Sequence, residues 1–199
     1  MAWSFLLPIL LNILGIVVTI IIALYARKRG SMPGVEFFCF YMIAAAVWVF
    51  GVLLDFLGGI VSPIVFIPAV VRTFAALLYL LGSIAQSVGY ILMPATWAIF
   101  ALKYTGRARW LKPHHILLAL LVPILLLFFS LARDVYVWTA LLRDYEVGAL
   151  YLRIDRVVGQ VVTLYVTLSL LGGGGLLLQE LVRAPRVYRP QYSILLISG

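Results

Sequence analysis

Three clusters of basic residues, Arg27-Lys28-Arg29, Lys103 to Lys112 and Arg183 to Arg189, are spaced so that two long apolar runs fit between each neighbouring pair. About 20 predominantly apolar residues cross the hydrocarbon of a bilayer, and cytoplasmic loops collect Lys and Arg. Each interval therefore reads as one hairpin of spanning helices, with the clusters on the cytoplasmic side and the N-terminus outside. Of the 15 basic residues, ten fall in these inner segments and five (Arg72, Arg133, Arg143, Arg153 and Arg156) at outer positions, which is the bias this topology demands.

A soluble globule is excluded by composition. With 65% hydrophobic residues, 11% charged residues and a mean hydropathy of +1.14, one buried core would leave far too much apolar surface in water. The net charge of +8 does not indicate nucleic acid, because the basic residues sit beside membrane ends, where anionic lipid headgroups account for them. The single cysteine, Cys39, lies in an apolar run, so neither an intrachain disulfide nor a multi-cysteine metal site is available. The N-terminus lacks the basic region and cleavage site of a signal peptide, and its first run is long enough to be a retained helix.

The expected spans are 5–26, 35–57, about 70–104, 116–131 and 157–182, with Gln191 starting a sixth. Pro33-Gly34 forces the first inner turn, since proline cannot continue a helix. In the second span Ala44-Ala45-Ala46 admits a close neighbour, and in the third Ser83, Ala85, Ser87 and Gly89 give the spacing of a packed helix face. The third run exceeds one perpendicular crossing, which implies tilt or a kink near Pro94, and Pro123 interrupts the fourth. The stretch 133–156 is the longest polar segment, its four arginines offset by Asp134, Asp144, Glu146 and Asp155, and is expected as an outer loop. The fold class is thus all-α: one polytopic transmembrane domain over 1–199, with five full spans and the start of a sixth. It is expected to be incomplete at the C-terminus and to carry no soluble domain.

Catalytic chemistry is not expected. Glu36, Asp55, His114, His115 and Glu180 all fall near membrane ends without motif spacing, and there is no phosphate-binding glycine loop, H-E-x-x-H or nucleophile signature. No catalytic or metal-binding residue is assigned, and the sequence leaves any cofactor open. Four residues are candidates for ligand binding. Asp55 is a carboxylate near the outer end of the second span, with Arg72 as its prospective partner; Gln86 is polar at mid-membrane; Trp138 belongs to the aromatic set Tyr136, Trp138, Tyr145 and Tyr151 of the outer segment. Gly172 to Gly175, four consecutive glycines in the fifth span, suit either close packing against a bulky neighbour or a hinge. The implied partners are the lipid bilayer, a small or lipophilic ligand, and other membrane subunits or a second copy of the chain.

The stretch Gly89 to Leu111, GYILMPATWAIFALKYTGRARWL, carries a glycine-aromatic pair (Gly89-Tyr90), then Pro94, Trp97, Phe100 and a tyrosine-x-gly-arg turn at Tyr104 to Arg107. In this it resembles the N-terminal seven-helix sensor region of bacterial and archaeal membrane histidine kinases. Arg29, Pro33-Gly34, Trp48 and Pro123 fit the same spacing. The resemblance implies a seven-helix bundle of the cell membrane, N-terminus outside, which senses a signal and passes it to cytoplasmic PAS, kinase or cyclase modules. Where that pattern carries a histidine in the loop after the fourth span, this chain has Asp134 to Trp138. The other reading is a non-catalytic accessory subunit of a larger membrane assembly.

Overall fold

The computed structural model describes residues 3–28, 33–61, 69–107, 112–142 and 149–183. These form five helices: α1 (Trp3–Lys28), α2 (Val35–Val61), α3 (Ala69–Tyr104), α4 (Pro113–Leu142) and α5 (Ala149–Arg183). Helices are the expected solution, because a backbone in hydrocarbon must satisfy its N–H and C=O groups within its own segment. Four stretches, Leu6–Lys28, Val35–Gly58, Thr73–Tyr104 and Arg156–Arg183, are long and apolar enough to cross a membrane. The expected fourth span falls inside α4. The expected start of a sixth, at Gln191, lies outside the described residues.

One expectation is corrected. Residues 133–142 and 149–156 are helical where a loop was expected: α4 runs on to Leu142 and α5 begins at Ala149, so Arg133 and Asp134 lie within a helix, and Asp134 is only 7% exposed. Two adjacent charges end an apolar run in a hydropathy reading. A helix continues through them when they pair with each other and with polar groups on a neighbouring helix.

The turn residues are set by local chemistry. Gly34, at φ 85°, offers its carbonyl to the Phe37 and Phe38 amides at 2.9 and 3.1 Å and so starts α2. Gly106, at φ 70°, follows the end of α3 in a Schellman arrangement, in which Gly106 N–H reaches the Lys103 carbonyl and Arg107 N–H reaches the Leu102 carbonyl. Within α3, Pro94 is fully buried and removes one ladder donor. Hydroxyls donate to carbonyls around it: Tyr165 to Ile91 at 3.2 Å, and Thr96 to Leu92 and Met93 at 3.0 and 2.9 Å.

The helix α3 is the centre of the bundle, packing against α2, α4 and α5, while α1 packs chiefly against α2. The α2–α3 interface is by far the most extensive, and small residues at seven-residue spacing explain why. Ala44, Gly51 and Gly58 on α2 face Gly89, Gly82 and Ala75 on α3, running antiparallel. A Cβ on Gly51 would lie 2.6 Å from the Gln86 amide nitrogen, one on Gly82 2.7 Å from that of Asp55, and one on Gly89 2.6 Å from both the Ala44 carbonyl and the Trp48 amide nitrogen. The backbones therefore touch along the whole seam, which a strict seven-residue repeat keeps facing its partner. This revises the expected packing face on α3: Gly89 belongs to it, but its companions are Ala75 and Gly82, and Ser87 turns toward α4.

At the end of the bundle near Arg107, Phe38, Tyr41, Trp97, Phe100 and Tyr104 form a chain of ring contacts with centroids 5.3–6.4 Å apart. Leu177 of α5 is fully buried against them, and a Cβ on Gly173 would come within 2.7 Å of the Trp97 indole. Close packing thus accounts for one of the four consecutive glycines. Gly172, Gly174 and Gly175 face open space.

Candidate functional site

The polar chemistry of the interior gathers where α3, α4 and α5 meet. Ser87 of α3 donates its hydroxyl to Asp134 Oδ2 at 3.0 Å, and Ser130 of α4 donates to Ser87 Oγ at 3.0 Å. Ser130 and Asp134 are four residues apart and so share one face of α4, the spacing that lets both reach a single residue across the interface. Arg133 directly precedes Asp134 and leaves the helix about 100° away. Its long side chain bends back to place Nε 3.0 Å and Nη2 2.7 Å from Asp134 Oδ1. Ser87, Ser130 and Asp134 are all buried.

A buried carboxylate is costly unless paired and hydrogen-bonded. Asp134 meets both conditions, with one oxygen on a guanidinium and the other on a hydroxyl. The arrangement therefore holds α3 and α4 in a fixed register.

This cluster forms one wall of a cavity of about 250 Å³. The helix α3 contributes Gln86, Ser87, Tyr90 and Ile91, and α4 contributes Ser130 and Arg133. Trp48 enters from α2, and α5 supplies Val158, Gly159, Val162 and Thr163. The cavity is thus polar on α3 and α4 and mainly apolar on α5. A second, larger space of about 470 Å³ is an apolar groove between α1 and α2, running from Ile16 to Arg27 along α1 and from Cys39 to Phe50 along α2.

Of the four residues singled out from sequence, Gln86 lines the polar cavity. Asp55 stands outside that lining, in the α2–α3 seam opposite Gly82, where its Oδ1 is buried without a hydrogen-bond partner among the described residues. The side chains of Arg72 and Trp138 lie outside the described residues. Sequence reasoning missed Ser87, Ser130, Arg133 and Asp134 as a group. A serine four residues before an aspartate, followed by further apolar and aromatic residues through Leu142, was the available signal.

Charged residues also join the helices at the opposite end. Arg107 donates to Gln179 and lies 3.6 Å from Glu180, tying the cap of α3 to the last turns of α5. Lys103 reaches Glu36 at 3.9 Å and sits 4.4 Å above the Phe37 ring, tying the same cap to the start of α2.

The model of one protein family, the N-terminal 7TM region of histidine kinase, matches residues 11–199. No curated protein and no solved structure matches the chain.

Proposed function

The chain belongs to the family of N-terminal 7TM regions of histidine kinases, and from that premise we propose that it receives its signal in the cavity between α3, α4 and α5. The signal, extracytoplasmic or intramembrane, biases how these helices pack, and the change reaches a cytoplasmic output module through the far ends of α3 and α5. A single observation carries this reading: Ser87, Ser130 and Arg133, hydrogen-bonded in one cluster with the buried carboxylate of Asp134, line a cavity between the helices. Ionisable groups inside a membrane are expensive, and their usual roles are functional.

The route follows from the packing. The helix α5 presents Val158, Gly159, Val162 and Thr163 to the cavity and, farther along, Gln179 and Glu180 to Arg107. Between them lies Gly172 to Gly175, where only Gly173 is packed. A shift of α5 at the cavity therefore has a pliant segment to act through and a polar clamp to act upon. A ligand drives such a shift only by as much as its affinities for the two packings differ. In this reading the N-terminus is outside, the basic clusters are cytoplasmic, and the bundle has seven helices.

The test uses the full-length signalling protein. Gln86→Leu and Gly159→Leu, which place apolar bulk in the cavity, are expected to abolish the response while expression is retained. Asp55→Ala and Trp138→Ala probe two further candidates. An unaltered response in the first pair would remove the cavity as the input site.

The alternative, a non-catalytic accessory or assembly subunit, draws on α1, whose apolar residues are exposed around most of its circumference. A partner helix would cover them as well as lipid does. The encoding reading frame separates the two readings: an output module downstream supports sensing, and a stop shortly after a seventh span supports assembly.

A further inference from the structure

We infer that the cavity selects a small, uncharged molecule bearing a hydroxyl or primary amide, which donates its hydrogen to Ser130 Oγ. This rests on the reading of the cavity as the input site and adds the ligand's chemistry to it.

The direction of the serine chain carries the argument. A hydroxyl has one hydrogen and two lone pairs. Ser87 spends its hydrogen on Asp134 Oδ2, so in the 3.0 Å contact with Ser130 it accepts, and the hydrogen belongs to Ser130. The hydrogen of Ser130 is thereby committed to Ser87, and what Ser130 offers a ligand is lone pairs. Hydrogen bonds in series polarise one another, so the carboxylate at the end of the chain makes Ser130 Oγ a stronger acceptor than an isolated serine. The complementary ligand group is a donor.

Charge narrows the class. An ammonium would also donate, but the carboxylate beside this wall, Asp134, is already paired with Arg133, so no unspent negative charge offsets the desolvation of a cation. An anion has no unspent positive charge to meet, since Arg133 places two nitrogens on Asp134, and it would confront the lone pairs of Ser130. A neutral hydroxyl or amide meets neither penalty, and Gln86 and Tyr90 supply donors for its oxygen. Val158 and Val162 face this polar wall, so the rest of the molecule is apolar. A cavity of 250 Å³ falls below the range of about 300–1,000 Å³ usual for drug-sized ligands, which sets the ligand's size as small.

Two isomers test this directly, because they share formula and apolar ring while one carries a donor and the other does not: 2-phenylethanol has an O–H, and benzyl methyl ether has none. Binding to the purified full-length protein is read from thermal shift and from tryptophan fluorescence, Trp48 lying in the cavity wall. The expected result is saturable binding of the alcohol about three- to tenfold tighter than the ether, the span of one neutral hydrogen bond. Ser130→Ala should erase that preference, and Gly159→Leu should remove binding of both. Equal affinities, or a preference for the ether, with binding still lost in Gly159→Leu, would overturn the donor requirement and leave the cavity standing as a site. No saturable binding, or binding that survives Gly159→Leu, would overturn both. The isomer comparison in the unaltered protein decides the matter even where Ser130→Ala fails to fold.

Discussion

Adding one methyl group at Gly82 tests the packing of the bundle most sharply. The new Cβ would sit 2.7 Å from the Asp55 amide nitrogen and 2.9 Å from the Gly51 carbonyl oxygen. Contacts of this kind settle near about 3.5 Å, so the helices must part by roughly 0.6–0.8 Å, because the atoms in the way are backbone and cannot rotate aside. Parting them at Gly82 also loosens the contacts of Gly58 and Gly89, one heptad unit to either side. Overpacking of this kind costs about 1–3 kcal/mol, and the better helix propensity of alanine returns about 1 kcal/mol, leaving Gly82→Ala destabilised by up to about 2 kcal/mol. Gly174→Ala is the matched control. Nothing lies within 4 Å of its Cβ, so it should be neutral or stabilised by up to about 1 kcal/mol. Both variants are compared by reversible unfolding in mixed micelles. Gly51→Ala combined with Gly82→Ala should cost less than the sum of the two, since one separation of the helices accommodates both methyl groups. A Gly82→Ala protein as stable as the Gly174→Ala protein would show that the α2–α3 backbones are not in contact.

Ser87→Ala removes a hydroxyl that donates to buried Asp134 and should destabilise the protein by about 1–3 kcal/mol in the same unfolding assay; no loss would mean that the carboxylate is solvated. Tyr165→Phe deletes the bond to the Ile91 carbonyl beside Pro94, at an expected cost of about 0.5–1.5 kcal/mol. Arg107→Ala breaks a partly exposed clamp and should change stability by less than about 1 kcal/mol, yet it should alter basal output in the full-length signalling protein. Unchanged output would disconnect the α3–α5 clamp from transmission. For topology, single cysteines in a Cys39→Ala background should be labelled from outside at position 144 and protected at position 107; the reverse pattern would invert the bundle.

Much of the architecture was readable because the bilayer imposes it. Apolar runs long enough to span, divided by basic clusters, leave a helical backbone no competitor, so α1, α2, α3 and α5 stand where hydropathy places them, with boundaries moved by a few residues except at the start of α5, which lies at Ala149 where 157 was expected. The turn glycines were legible too, since Pro33-Gly34 and Gly106 announce positions where the chain must leave a helix. The Gly89 to Arg107 stretch identified the family, and its parts prove to be packing devices: Gly89 in the seam, Pro94 and Trp97 in the core, Gly106 in the cap.

What the sequence alone could not determine was which side chains meet. Gln86 announced itself as a polar residue at mid-membrane, but whether it faces lipid, a neighbour or a cavity depends on the rotation of α3, and the α2–α3 seam sets that rotation through Gly51, Gly82 and Gly89. Arg133 and Asp134 looked like the end of a span because hydropathy charges each residue for its own desolvation. Only the tertiary structure shows that the guanidinium, the carboxylate and two serines on separate helices satisfy one another, which allows α4 to continue and the polar wall of the cavity to form. Desolvation belongs to the residue and can be read along a chain; its compensation belongs to the pair, and pairs between helices exist only once the helices have packed.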